Sequence, residues 1–469
     1  MKHSVDAFKR TQMPKRSPEE RVRDFNEVAL GFTEEQALAE AERCLQCPNP
    51  TCISGCPAQI DIKGFIAYIR KGDFEAAARK IREKNSLPGV CGRVCPQETQ
   101  CEAACVLNRR GAAVNIGGLE RFAADYALAR NLQFTERGEE NGLTVAVIGS
   151  GPSGLTVAGD LARLGYDVTV FEALHEYGGV LTYGIPEFRL PKRIVKAEVD
   201  SIAKMGVRFQ RDVIVGKTVT LEELFDEGFK AIFIGTGAGP PLFLNVPGEN
   251  LNGVYSANEF LTRCNLMKAY LFDEYDTPLY IGGEVTVVGG GNVAVDAARV
   301  ALRAGGGRVT ILYRRTREEM PARVEEVRNA EEEGVRFMFL TNPVRFTGHD
   351  GWVNSVECVK MKLGSLDESG RPRPIPVEGS NFAIKAEAVI IAIGRKPNPT
   401  VTQTTPGLKT NEQGLILVDS HGRTSLKGVW SGGDVVTGEA TVISAIGAGK
   451  TAAASMHTYL TRILKKKGK

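Results

Sequence analysis

The apolar positions of the chain follow a helical period up to about residue 130 and then break into short, nearly continuous apolar runs. Thr33-Glu-Glu-Gln36 is a capping-box pattern. It opens a helix through Ala37, Leu38 and Ala41 that delivers Cys44. Helical spacing recurs over 62–71, 74–83 and 116–130. Residues 1–30 are polar and basic and read as an extended arm, and 131–142 is a polar linker with two glycines. Residues 143–148 are then an apolar strand, and 284–288 repeat that pattern. Strand-like runs at 231–234 and 389–393 each end in a glycine turn, Gly235-Thr236-Gly237 and Gly394-Arg-Lys-Pro-Asn398. Residues 341–382 alternate and hold turn signals, which predicts added antiparallel strands. The parse is a small α-helical domain with arm and linker over 1–142, followed by an α/β region. One α/β domain occupies 143–280 and 396–469, and a second, 281–395, is inserted in it.

Bulk properties remove several classes. The net charge of +3 names no polyanionic partner, so nucleic acid is not expected. No apolar run approaches the roughly 18–20 residues of a membrane helix. The first residues lack the apolar stretch of a signal peptide, and a cytoplasmic location is expected. The basic tail at 465–469 reads as a solvated end.

Eight cysteines fall within 62 residues. The first group is Cys44-x2-Cys47-x4-Cys52-x3-Cys56, with Pro57 after it; the second is Cys91-x3-Cys95-x5-Cys101-x3-Cys105, with Pro96 after Cys95. A disulfide scaffold fits badly with a reduced, cytosolic context. Interleaved Cys-Pro spacings favour two [4Fe–4S] clusters sharing the groups over zinc, which prefers paired hairpins. Cys264 and Cys358 stand alone and read as core residues.

Gly149-x-Gly151-Pro152-Ser153-Gly154 follows a strand and opens a helix, and Glu172 stands 23 residues after Gly149. That is the dinucleotide fingerprint with its ribose-binding acid. Gly289-x-Gly291-Asn292-Val293-Ala294 is a second fingerprint. Where its ribose acid would stand there are Arg314 and Arg315. An acid there repels a 2′-phosphate and guanidiniums bind it, so the site reads as NADP(H) rather than NAD(H). Thr236 and Gly237 belong with the first site and Gly394 with the second, each at a strand-end turn. No Ser-His-Asp, HExxH or Walker arrangement is apparent, so the chemistry belongs to cofactors and no side chain is assigned as catalytic.

Several stretches together carry a family resemblance: Arg43-Cys-Leu-Gln-Cys47, Cys91-Gly-Arg-Val-Cys-Pro-Gln97, Gly149-Ser-Gly-Pro-Ser-Gly154, Gly178-Gly-Val-Leu-Thr-Tyr-Gly-Ile-Pro186, Tyr313-Arg-Arg315 and Ser431-Gly-Gly-Asp434. From about Phe25 onward the chain resembles the family of glutamate synthase small (β) subunits. That family includes the large subunit of NADH-dependent reduced ferredoxin:NADP oxidoreductase and the N-terminal half of dihydropyrimidine dehydrogenase. The resemblance implies a helical double-[4Fe–4S] domain followed by two Rossmann-like domains, for FAD and NADP(H). It implies Cys44, Cys47, Cys52 and Cys105 as ligands of one cluster, and Cys56, Cys95, Cys101 and Glu120 of the other. Cys91 is the competing fourth ligand of the second. It also implies that Gly433 and Asp434 close the FAD site, that the helix from Thr441 aims its positive end at the flavin, and that Gly179, Leu181 and Arg189 lie beside it.

Electrons are then expected to move between NADP(H), FAD and the clusters, as a pair on one side and singly on the other. Stretches 23–32 and 55–62 look closest to the ferredoxin:NADP oxidoreductase large subunit, where the FAD could bifurcate electrons between ferredoxin and an NAD-binding flavoprotein subunit. The alternative is a glutamate synthase small subunit feeding a separate large subunit. A minor alternative is a non-catalytic electron-transfer scaffold.

Overall fold

The computed structural model describes residues 9–134, 136–367 and 370–467. Residues 1–8 of the expected arm, 135 of the linker and 468–469 of the basic tail lie outside the described residues.

Five longer helices, Glu34–Glu42, Ile62–Arg70, Phe74–Arg82, Pro88–Val94 and Ile116–Ala129, and a one-turn helix, Thr51–Ser54, build the described part of the cysteine-bearing domain. Thr33 and Gln36 form the capping box read from the sequence, and Asp61, Asp73 and Asn115 cap three of the other helices. These caps satisfy amide groups that a helix start leaves unpaired. Apolar positions three and four apart (Phe65, Ile66, Ile69; Phe74, Ala77, Ala78, Ile81) are buried together, and Phe74 meets Phe122 edge-on at 4.9 Å. Helices Pro88–Val94 and Ile116–Ala129 pack closest at Gly92, where a Cβ would stand 2.6 Å from the Arg121 backbone.

Two five-stranded parallel sheets follow. The first runs Val429–Ser431, Ala231–Ile234, Thr144–Ile148, Asp167–Phe171, Arg208–Gln210. The second runs Val254–Ser256, Ala388–Ile391, Glu284–Val288, Arg308–Tyr313, Arg336–Phe339. Their central strands are buried along almost their whole length, which explains the continuous apolar runs in the sequence. Val254–Ser256 lies ahead of the expected junction at 280/281 yet is an edge strand of the second sheet. Too short and too mixed to read as a strand by itself, it takes its place through pairing with Ala388–Ile391. The chain crosses between the sheets at an antiparallel ribbon, Ala238–Pro241 against Arg395–Pro397. The alternating stretch forms antiparallel strands Thr341–His349, Trp352–Leu366, Pro372–Pro376 and Phe382–Lys385.

In its described part the arm is not simply extended. It turns through a short helix, Pro18–Arg21, and docks on the second α/β domain. The Arg21 guanidinium is buried against Glu333 and Glu332, and Phe25 stacks on Tyr270 at 4.0 Å. Sequence polarity hid this because the partners lie some three hundred residues away. Among the described residues no helix is long and apolar enough to cross a membrane.

Gly92→Ala drives a methyl into the backbone of the facing helix. It is expected to destabilise the helical domain by about 2–3 kcal/mol, read as a lowered first thermal transition with loss of bound iron.

Candidate functional site: one cleft and two cysteine cradles

A single cleft of about 1210 Å3 runs between the two sheets, along the carboxyl ends of their strands. On the first side, strand Thr144–Ile148 ends at Gly149, whose φ of +96° and whose approach to the Gly235 carbonyl exclude a side chain. A Cβ at Gly154 would overlap the Gly149 carbonyl, so helix Pro152–Arg163 can meet the strand only through glycine. Gly151 faces open space in the cleft. Glu172, buried at the end of its strand, accepts from Ser150 N at 2.9 Å, Ser150 Oγ at 2.6 Å and Leu174 N at 3.0 Å. Ser150 Oγ in turn accepts from Gly178 N at 2.9 Å. The acid, the fingerprint loop and the Gly178–Gly179 turn are thus one hydrogen-bonded unit.

The far wall comes from the last part of the chain. Gly433 has φ +82° and packs on Ser153, while Asp434 and Thr441 line the cleft. Thr441 Oγ1 accepts from Ser444 N at 3.2 Å and caps the long helix Val442–Lys467. Burial pushes the Asp434 carboxyl up to about 6, against the pull of Arg395. Arg395 donates to Glu439 Oε1 at 3.1 Å, yet its Nε, like Thr236 Oγ1, is buried with no partner. Orphaned donors, an open glycine loop and a helix N-terminus suit the diphosphate and hydroxyls of a dinucleotide such as FAD. Leu181 does not line the cleft: it is fully buried in the hydrophobic core, because the turn of helix Val180–Tyr183 points Tyr183 toward the cleft instead. Gly154 and Gly433 serve the packing behind the loop rather than the cleft surface.

The second side repeats the logic. Gly289, Gly291, Asn292, Val293 and Gly394 all line the cleft. A Cβ at Gly289 would overlap the Ala392 carbonyl, and one at Gly290 the Tyr313 ring. Arg314 and Arg315 both border the cleft but differ in state. Arg314 is exposed, whereas Arg315 is buried, donating to Asp367 at 2.7 Å and to the Pro372 carbonyl at 2.8 Å. Arg371, just before strand Pro372–Pro376, also lines the cleft. Arg189 also borders the cleft, but its guanidinium binds Asp296 of the second-fingerprint helix, with one Asp296 oxygen left unpartnered.

The cysteines gather in two places. Cys44, Cys47, Cys52 and Cys105 line one small apolar cavity with Ile62, Ile66 and Val114. Cys56, Cys91, Cys95, Cys101 and Glu120 form a second, deeper group: all five are buried, and each of Cys56, Cys95 and Cys101 feels the Glu120 charge. Burial pushes the Cys52 and Cys56 thiols up to about 11 and the Glu120 carboxyl up to about 8, although Asn85 donates to Glu120 at 2.8 Å. Thiolates here need cations to hold them, which iron supplies. Among the described residues no three His, Cys, Asp or Glu side chains converge as for one metal ion. A four-iron cube spreads its ligands over separate irons, and the two cysteine groups, the first around a small cavity, suit that instead.

The two groups lie at different depths. Val94 and Pro96, which flank Cys95, line the large cleft, and a Cβ at Gly447 of the long helix would stand 2.7 Å from the carbonyl of Pro57, next to Cys56. The deeper cradle therefore abuts the cleft, while the partly exposed cysteines of the other lie toward the surface.

These features define a class: an oxidoreductase with FAD, NADP(H) and [4Fe–4S] sites on one chain. Residues 21–132 match the dihydropyrimidine dehydrogenase domain II, 4Fe-4S cluster family, and 143–449 the pyridine nucleotide-disulphide oxidoreductase family. The chain is 37% identical to the glutamate synthase [NADPH] small chain of Halomonas elongata, over 96% of each. It is 39% identical to the NADP(+)-dependent formate dehydrogenase subunit beta of Moorella thermoacetica, over 87% of this chain and 60% of that one. The fold of Mycobacterium tuberculosis FprA in complex with NADPH superposes with a TM-score of 0.58 at 22% identity, over 70% of this chain and 86% of that one. The chain belongs to the glutamate synthase small-chain family and is an NADPH-dependent FAD/iron–sulfur oxidoreductase.

Asp434 makes the FAD-free protein pH-sensitive. Its raised folded-state value means that the folded carboxyl resists ionisation, so stability is lost as pH rises from about 4, the unfolded value, to about 6. The apo Asp434→Asn variant is expected to lose less stability across that window, measured by thermal unfolding at a series of pH values.

Proposed function

We propose that this chain takes electrons from NADPH in the large cleft and delivers them singly, through the deep and then the shallow cysteine cradle, to a separate protein subunit. The observation that carries the reading is the depth order: Val94 and Pro96 beside Cys95 form cleft wall, and Cys44, Cys47, Cys52 and Cys105 lie toward the surface. FAD, when bound, supplies the exchange between paired and single electrons. The chain's own residues do the rest. Gly149, Gly151 and the helix start at Pro152 receive the flavin diphosphate, Glu172 its ribose, and Asp434 with the Thr441 helix start its inner end. Gly289, Gly291 and Asn292 receive the NADP diphosphate, and Arg314 its 2′-phosphate, with Arg315 held beside it by Asp367. Cys44, Cys47, Cys52 and Cys105 hold the outer cluster; Cys56, Cys95 and Cys101 hold the inner one with Glu120. Cys91 remains the rival fourth ligand, being wholly buried in the same group.

Two identities of the partner are to be separated. End-to-end similarity to glutamate synthase small chains supports a glutamate synthase large subunit as the acceptor. Stretches 23–32 and 55–62 support the large subunit of a ferredoxin:NADP oxidoreductase, with ferredoxin and an NAD-binding flavoprotein as partners and electron bifurcation at the FAD. Both readings place the protein in the cytoplasm. Anaerobic copurification decides between them: a large amidotransferase subunit supports the first, a small NAD-binding flavoprotein the second. The shared core is tested on the isolated, reconstituted chain, which is expected to oxidise NADPH with an artificial one-electron acceptor; failure to do so removes both readings. Arg314→Ala is expected to raise the KM for NADPH roughly tenfold to hundredfold, the loss of a charge-assisted contact, with a much smaller change for NADH in the same steady-state assay.

A further inference from the structure

Arg323 stands where the nucleotide loop and the deep cysteine loop meet. Its backbone N–H donates at 3.0 Å to Oδ1 of Asn292, the first residue of the second-fingerprint helix. Pro321, in the same segment, lines the cleft facing Gly291. The guanidinium turns the other way, with its side chain 8% exposed. Nη1 donates to the Arg93 carbonyl and Nη2 to Gln97 Oε1, both at 3.1 Å. Arg93 and Gln97 bracket Cys95, and Gln97 Nε2 donates at 3.2 Å to the Cys91 carbonyl. The counter-charges Glu98 and Glu325 approach at 3.5 and 3.4 Å from the solvent side, 31% and 40% exposed. One residue is therefore bonded to the peptide that would receive the nucleotide and to the peptide that carries the inner cysteines.

We propose that Arg323 is a positioning residue that couples nucleotide occupancy to the reduction potential of the cluster beside Cys95. A buried cation favours the more negative, reduced form of a nearby cluster, and the hydrogen bonding of the peptide around the sulfurs adds to this. A nucleotide seated at Gly291 packs on Pro321 and fixes the backbone from which Arg323 projects. The coupling is reciprocal: the oxidation state of the cluster changes nucleotide affinity by the same factor that the nucleotide changes the cluster equilibrium. The inference rests on the reading that the deep cysteine group holds a cluster.

The test is a potentiometric titration of the full reconstituted chain, following the two cluster signals by electron paramagnetic resonance. It is run with and without 2′-phospho-ADP-ribose, which carries the NADP diphosphate and 2′-phosphate but no redox-active ring. In the wild type, one signal is expected to shift on ligand addition. Arg323→Gln is expected to lower the midpoint of that signal without ligand and to abolish the shift, leaving the other signal in place. Arg323→Lys keeps the charge but lacks the two-pronged fork; it is expected to restore most of the unliganded midpoint and not the shift. Wild-type midpoints in Arg323→Gln, no ligand shift in the wild type, or an undiminished shift in Arg323→Lys would each overturn the proposal. Should the Gln variant fail to fold, the Lys variant decides alone. A wild type that binds one cluster only fails the cluster reading instead, and iron content distinguishes that case.

Discussion

A buried network of guanidinium and carboxylate groups sets how the parts of this molecule meet. Arg299, fully buried, lies between Glu326 and Glu333; Arg303 and Arg21 of the N-terminal arm share Glu333; Arg189 reaches from the first α/β domain to Asp296. Burial alone would raise the Glu326 carboxyl, but Arg189 and Arg299 outweigh it and hold it at about 2. Charges taken this far from water are costly unless each finds its partner in good geometry. These pairs tie the arm and the two α/β domains to one another beside the cleft. Phe188 extends the same junction, lying under the Arg299 and Arg303 guanidiniums at 4.6 and 4.0 Å.

Around that junction the backbone does most of the shaping. Each cofactor loop is a place where a side chain would collide with a carbonyl or a ring, at Gly149, Gly154, Gly289 and Gly290, so the phosphate-bearing parts of a ligand can approach the peptide itself. The long helix Val442–Lys467 then ties two regions together. Its start lines the cleft, and Gly447 lies against the carbonyl of Pro57. The same helix that lines the cleft at its start thereby packs against the loop beside Cys56.

Much of the site was legible because its signals are local. A fingerprint is a few residues around one turn, and the acid or the arginines stand at the end of the next strand, so residues that the fold gathers along one cleft, Gly149, Gly151, Glu172, Gly289, Gly291 and Arg314, could be proposed from spacing alone. Leu181 misled because a cofactor-side stretch still alternates between cleft and core, and only packing shows which residue faces which. Arg315 was read as a twin of Arg314, but Asp367, from an antiparallel turn, pins it. Tyr183, Arg371, Arg395 and Asp296 carried no signal of their own; an Arg or Asp in an ordinary helix or turn reads as surface until the chain folds over it.

By itself the sequence determined the kinds of element, the two glycine-rich turns at strand ends, the acid or paired arginines after the following strand, and the two groups of cysteines. Those depend on short-range rules: period, capping, glycine at a tight turn, charge at a strand end. Only the tertiary structure decided that the deep cysteine group abuts the cleft, that the basic arm is a strap clamped by Glu333, and that Arg323 joins the second nucleotide loop to the Cys95 peptide. Each of these joins residues a hundred or more positions apart. Their proximity comes from burying charge in pairs and apolar faces together, and no local pattern encodes it.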